Sequence, residues 1–206
     1  MVDLLTLLAF VPAALALNLT PGADMMFCLG QGVRSGASSA VAASAGISAG
    51  SMVHVSLAGV GLGAAVAAVP WLFDVIRWVG VAYLLWLALG AIRGGFGNGP
   101  RLSAPVKNAF RAGFIVNLTN PKVILFVLAF VPQFVDPDHG SVLGQFLVFG
   151  SVLAIGGFLI NAGVGVFAGQ VRRYLTGSSG FERALAWISG GIFTVLAVRL
   201  AVFERG

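Results

Sequence analysis

The chain has 206 residues, of which 58% are hydrophobic and 9% charged, against roughly 45–50% and about 25% in an ordinary soluble domain. That composition argues against a water-soluble globule. With about 20 apolar residues needed for each bilayer span, it leaves room for five or six spans and no soluble enzyme domain beside them. The net charge of +5 comes from twelve basic residues scattered between apolar runs, which form no nucleic-acid face, and the single cysteine, Cys28, excludes an intrachain disulfide, a CxxC pair or a thiol relay.

Charge-free stretches predict six spans, at 4–33, 37–69, 71–92, 112–135, 142–171 and 184–203. The first carries Pro21, Gly22 and Asp24, and the fourth carries Asn120, Pro121 and Lys122, so both read as broken helices. The apolar run ending at Ala14-Leu15-Ala16 has the outline of a signal peptide. Its leading segment carries Asp3 and no Lys or Arg, the wrong charge for secretion, and it is kept in the first span.

Arg34, the third-loop group Arg93, Arg101, Lys107 and Arg111, and the fifth-loop group Arg172, Arg173 and Arg183 supply eight of the twelve basic residues. The second and fourth loops and the two ends hold Arg77, Arg199 and Arg205, and the fourth loop carries Asp136, Asp138 and His139. The positive-inside rule then predicts both termini outside and the odd loops in the cytoplasm. The expected organisation is one transmembrane domain over 1–206, with halves at about 1–95 and 110–206 and a basic cytoplasmic loop at about 93–111 between them.

A near-duplication supports the halves. Asn18-Leu19-Thr20-Pro21-Gly22 in the first span is echoed by Asn117-Leu118-Thr119-Asn120-Pro121 in the fourth, 99 residues on. A fainter echo links Phe73-Asp74, Trp78 and Gly80 to Phe181-Glu182, Trp187 and Gly190. Three spans per copy reverse the second copy across the bilayer, so the pattern predicts an all-α membrane protein of six transmembrane helices in two inverted three-helix repeats. That is the plan of secondary transporters, with a midplane site between discontinuous helices. A Pro within a helix removes one hydrogen bond and opens the carbonyl four residues back, which the preceding Asn or Thr can re-satisfy or turn towards a ligand. A packing kink without a ligand is the alternative.

Asp24 lies ten residues inside Arg34, and Lys122 eleven residues inside Arg111; at about 1.5 Å per residue both sit roughly 15–17 Å deep, near the middle of a ~30 Å core. A charge there costs at least about 2.5–3.5 kcal/mol on insertion scales and must face a cavity or a partner. Either the two form an ion pair that ties the halves together, or Asp24 takes a proton or a substrate ammonium while Lys122 and helix-end amides take a carboxylate. The candidate binding residues are Asn18, Thr20, Pro21, Gly22, Asp24, Asn117, Thr119, Asn120, Pro121 and Lys122. Asp24 and His54 are the candidate proton carriers, with a packing histidine as the other reading of His54.

Gly46-Ile47-Ser48-Ala49-Gly50 matches G-x-S-x-G, but a nucleophile elbow needs a strand before it; in a membrane helix Gly46 and Gly50 read as a small-residue packing face, and a homodimer through such faces stays open. Gly59, Gly61, Gly63, Gly163, Gly165 and Gly169 read the same way. Trp71, Trp78 and Trp187 fall near span ends as interface residues. Two histidines and one cysteine offer no metal site, and no cofactor is expected.

Leu19-Thr20-Pro21-Gly22-Ala23-Asp24-Met25, Gly46-Ile47-Ser48-Ala49-Gly50, Gly80-Val81-Ala82-Tyr83-Leu84-Leu85-Trp86-Leu87-Ala88-Leu89, and Phe114-Ile115-Val116-Asn117-Leu118-Thr119-Asn120-Pro121-Lys122 with Phe130-Val131-Pro132-Gln133-Phe134 resemble the lysine exporter (LysE) and homoserine/threonine resistance (RhtB) family. The resemblance covers nearly the whole chain, and Asn-Pro-Lys is its most specific part. It implies a multi-pass bacterial inner-membrane exporter of amino acids or close derivatives, driven by the proton gradient. Family members commonly have Pro where this chain has Ala23, and an acidic residue where it has Ser51, which leaves Asp24 to carry an acidic coupling role alone. The alternatives are a carrier or channel for another small solute, and an intramembrane enzyme with a catalytic group facing Ser48 or Ser51.

Overall fold

The computed structural model describes residues 2–68 and 108–168, with scattered helical positions within 75–89 and 187–198. Every regular element among the described residues is a helix: α1 Leu4–Leu19, α2 Ala23–Ser35, α3 Ala37–Ala68, α4 Ala109–Leu118, α5 Pro121–Ala129, short 3-10 turns at Val131–Phe134 and Pro137–His139, and α6 Val142–Val166. Most of the third and sixth predicted spans, and the basic loop from Arg93 to Lys107, lie outside the described residues.

Both predicted breaks are present. α1 and α2 meet at a bend of 54°, and so do α4 and the segment from Pro121 to Phe134. α3 and α6 are each long and apolar enough to cross a bilayer, and each bent pair is apolar enough to make one further span. The chain is a helical membrane protein.

The local chemistry of the first break follows from Pro21. A proline pushes the residue before it out of the helical region, and Thr20 is extended at φ −68° and ψ 117°. Thr20 Oγ1 turns back to donate to the Ala16 carbonyl at 2.6 Å. In the second break Thr119 Oγ1 donates to the Ile115 carbonyl at 3.0 Å, again four residues back. The duplicated Asn-Leu-Thr thus ends both helices at the same residue: Leu19 and Leu118 are the last helical residues, Thr20 and Thr119 the C-caps, though Thr20 is extended and Thr119, at ψ 3°, is not. The copies then part by one residue. Two residues separate Thr20 from the start of α2, one separates Thr119 from the start of α5, and Pro121 becomes the first residue of its helix, where a missing N–H costs nothing.

α3 packs between α4 and α6. In lipid, apolar surface has little reason to leave its neighbours, so helices associate through small residues and interhelical hydrogen bonds. A side chain at Gly46 would strike the Phe110 carbonyl, and one at Gly113 the Ala43 carbonyl, so α3 and α4 touch backbone to backbone. The predicted face of Gly46 and Gly50 is therefore a packing face. On the other side, Ser44 and Ser48 donate to the Phe158 and Ala154 carbonyls of α6 at 2.8 and 3.0 Å. Gly59 and Gly165 also sit at close approaches, whereas Gly61 and Gly163 face open space.

Phe10, Phe126, Phe130, Phe134 and Phe149 form a ring cluster joining α1, α5 and α6. Leu4, Leu5 and Leu8 of α1, Ile155 and Leu159 of α6, and Trp78 and Trp187 are exposed, as a lipid-facing surface requires. His139 pairs with Asp136 at 2.9 Å in the loop before α6.

Candidate functional site

The two broken helices meet through an exchange of partners. Asp24 is the second residue of α2, and Lys122 the second residue of α5, so acid and base hold the same position in their half-helices. The Asp24 carboxylate accepts through Oδ2 from Asn117 Nδ2, in the last turn of α4, at 2.9 Å. The Lys122 ammonium donates to the Leu17 and Thr20 carbonyls, at the end of α1, at 2.9 Å each. Each second half-helix thus grips the end of the other first half-helix.

Helix polarity explains why the lysine reaches across. An acid at a helix N-terminus is favoured by the peptide dipoles and a base there is opposed. The Lys122 stem carries its charge away from the start of α5 to the C-terminal, electronegative end of α1. The Lys122 ammonium passes close over Gly22, where a side chain would come within 3.3 Å of Nζ.

The prolines select the carbonyls. Pro21 cannot donate to Leu17, and the Leu17 carbonyl is one that Lys122 takes. Pro121 cannot donate to Asn117, and the Asn117 carbonyl receives His54 Nε2 at 3.3 Å and the Asn120 N–H at 2.9 Å. A carbonyl only accepts, so Nε2 of His54 carries the hydrogen in this contact. The expected re-satisfaction by a neighbouring Asn or Thr side chain does not occur at these two groups; Thr20 serves Ala16, and the donors are Lys122 at Leu17 and His54 with the Asn120 backbone N–H at Asn117. Asn18, the counterpart of Asn117, instead donates to the Leu153 carbonyl of α6 at 3.1 Å.

Asn117 is fully buried and is the hub of the site. Besides Asp24 and His54 it receives Ser51 Oγ at 3.3 Å on its side-chain oxygen, and it packs on Gly50, where a Cβ would come within 2.8 Å of Oδ1. Lys122, Asn120 and His54 also lie near Asp24.

A cavity of about 10 Å³ lies between the breaks, lined by Asn18, Thr20, Asp24, Lys122 and Asn161 among others. That is the lower limit for one water molecule. Three buried side-chain atoms among the described residues have no hydrogen-bond partner: Asp24 Oδ1, Asn120 Nδ2 and Asn161 Oδ1. Such atoms are uncommon in folded proteins, and all three belong to the residues around the two breaks.

The structure therefore brings together Asn18, Thr20, Gly22, Asp24, His54, Asn117, Asn120 and Lys122. Asn120 caps α5, its side-chain oxygen accepting the Lys122 N–H at 3.0 Å. Pro21 is half-buried and acts through the carbonyl it frees; Thr119 and Pro121 are exposed, on the far side of their break. Ser48 and Ser51 spend their hydroxyls on neighbouring acceptors. Asn161 was not among the sequence candidates. Its signal was a carboxamide within a 25-residue apolar helix. No group of three or more His, Cys, Asp or Glu that could hold a metal ion occurs among the described residues.

The LysE type translocator family matches residues 15–203. An uncharacterized membrane protein of Vibrio cholerae serotype O1 is 32% identical over 181 residues, covering 84% of this chain and 85% of its own length. A homoserine/homoserine lactone efflux protein of Salmonella typhimurium is 29% identical over 196 residues, 94% of each chain, and a leucine efflux protein of an Enterobacter species is 29% identical over 204 residues, 93% of each. No solved structure matches. With nearly its whole length matched, this chain belongs to the LysE type translocator family.

Proposed function

We propose that the chain exports amino acids or close derivatives from the cytoplasm across the bacterial inner membrane as a secondary, proton-coupled carrier. The observation that carries this reading is the exchange of partners between the two breaks, with an acid, a base and unpartnered polar atoms around one small cavity. The names of the relatives, efflux proteins for leucine and for homoserine and its lactone, support the class of cargo. Asp24 accepts a proton or the cargo's ammonium group. Lys122 and the first amides of α2, which no side chain caps, take its carboxylate, and His54 relays protons beside Asn117.

Inverted three-helix repeats explain the exchange. If a pseudo-two-fold axis runs through the site, the end of each first half-helix faces the start of the other second one, and Asn18 and Asn117 reach in turn to α6 and α3. A cavity near one water in size holds no amino acid, so cargo enters only when the α1–α2 and α4–α5 pairs move apart. Rocking of one half against the other, with both termini outside, then presents the site to either face. Gly46 and Gly50 already pack on α4 of the same chain, so that face is not open to a second copy, and the reading requires no dimer.

The test uses proteoliposomes loaded with the twenty amino acids and homoserine, with efflux followed by mass spectrometry under an imposed pH gradient. The expected result is saturable efflux of one or more of them that follows the gradient. Efflux no faster than from protein-free vesicles overturns the exporter reading, and flux that never saturates assigns a channel instead.

A further inference from the structure

Polar atoms buried without partners mark where a missing one belongs; of the three here the Asn120 amide is a donor beside Asp24 and outside the cavity lining, and the two that belong to cavity-lining residues are both oxygens. Asp24 Oδ1 and Asn161 Oδ1 are both acceptors, both without a donor, and both residues line the same cavity. Each residue is more than nine-tenths buried, at 8% and 5% exposed. They come from α2 and α6, so neither helix alone creates the pair. The charged donor on the cavity wall, the Lys122 ammonium, is by contrast already engaged by the Leu17 and Thr20 carbonyls. A carboxylate that draws on this charge has to compete with those carbonyls, whereas an ammonium meets two oxygens that make no hydrogen bond of their own.

We propose that Asn161 Oδ1 and Asp24 Oδ1 together receive the protonated amine of the cargo, so that a free amine, rather than a free carboxylate, is the feature by which this site selects. The inference rests on the exporter reading and extends it in two respects. Asn161 becomes a specificity-determining residue, and the cargo class becomes primary amines whose carboxyl group can be masked, as in an amide or a lactone, while N-acylated forms are refused. A neutral N-acyl group has no charge to set against Asp24 and one N–H for two acceptors. A site built to hydrogen-bond a cargo group rejects the analogue lacking it much more strongly than a shape-only pocket does.

The experiment compares leucine and homoserine with the amide and the N-acetyl form of each, in proteoliposomes carrying the wild-type chain, Asn161→Leu or Asn161→Asp. In the wild type, the parent compounds and their amides should leave at comparable rates and the N-acetyl forms at least about tenfold more slowly, as expected for the loss of hydrogen bonds to a charged group. Asn161→Leu, similar in bulk and without an acceptor, should raise the half-saturating concentration of the amines about tenfold with little change in maximal rate. Asn161→Asp keeps an oxygen acceptor and loses the amide donor, so it should retain or tighten amine binding. N-acetyl forms exported as fast as free amines, an unchanged half-saturation in Asn161→Leu, or loss of amine binding in Asn161→Asp each overturns the proposal while leaving the exporter reading standing. Should Asn161→Leu fail to assemble, the wild-type comparison of amide with N-acetyl form decides alone. No efflux of leucine, homoserine or any other amino acid by the wild type removes both readings together.

Discussion

The Lys122 ammonium lies 2.9 Å from the Leu17 carbonyl, the group whose ordinary helical donor Pro21 has removed. The base of one helix break thus completes the backbone of the other. A lysine buried between two broken helices has two uses, to bind cargo or to hold the breaks together, and its contacts with the end of α1 serve the second in this conformation. Cargo that draws Lys122 off α1 would also loosen the join between the broken helices.

Replacing Lys122 with Met removes the donor and leaves the Leu17 and Thr20 carbonyls facing an apolar side chain. An orphaned buried acceptor costs roughly 1–3 kcal/mol, and partial relaxation of α1 offsets some of it, so a loss of about 2 kcal/mol in stability is expected. The measurement is the thermal unfolding of the detergent-purified protein without cargo. A melting temperature equal to the wild type would mean that Lys122 does not hold α1.

Asp24→Asn separates charge from shape. The amide oxygen can still accept from Asn117 at the position of the 2.9 Å contact. The loss of a favourable charge at the start of α2 costs only about 0.3–1 kcal/mol. The variant should therefore insert and purify normally, exchange labelled cargo for unlabelled across the membrane, and lose at least about tenfold of its efflux driven by a pH gradient. Full gradient-driven efflux would place Asp24 among the structural residues.

Asn117 joins α4 to Asp24, Ser51 and His54 at once, so its loss should exceed that of any one partner. Asn117→Ala leaves Asp24 Oδ2 without its donor and opens a space over Gly50; a cost of about 3 kcal/mol is expected, because the orphaned group is a carboxylate. Ser51→Ala should cost less than about 1 kcal/mol, since its contact with Asn117 is long at 3.3 Å and shared with the Ile47 carbonyl. Equal melting temperatures for the two variants would show that Asn117 is not the hub.

The repeated Asn-Leu-Thr was legible in the sequence because it is local: in both copies the helix ends at the Leu and the Thr hydroxyl turns back to the carbonyl four residues before it. Counting inward from Arg34 and Arg111 put Asp24 and Lys122 at similar positions in their spans, and both line the same cavity. The exposure of Thr119 and Pro121 did not follow, because the two connections differ by one residue and the copies therefore turn different faces inward. His54 was visible as an unusual residue, but its target, the carbonyl freed by Pro121, depends on how α3 crosses α4. Asn161 was missed for a related reason. It belongs to no motif, and its importance is that nothing pairs with its side-chain oxygen, a property of the packed chain alone.

The glycines give a graded test of the packing. A Cβ at Gly113 or Gly46 would meet a backbone carbonyl of the facing helix, Ala43 or Phe110. Backbone cannot swing away as a flexible side chain can, so the helices must separate. Gly113→Ala should then cost about 1–3 kcal/mol, the usual range for overpacking, and should weaken transport as well, because α4 carries Asn117 four residues further on. Gly61→Ala meets nothing within 4 Å and removes the conformational freedom of a glycine within a helix, a change expected to stabilise by roughly 0.5–1 kcal/mol. The monodisperse fraction remaining after heating, read by size-exclusion chromatography, should rank Gly61→Ala at or above the wild type and Gly113→Ala well below it. The reverse order would mean that α3 and α4 do not approach backbone to backbone, and with that contact would go the support that holds Asn117 against Asp24.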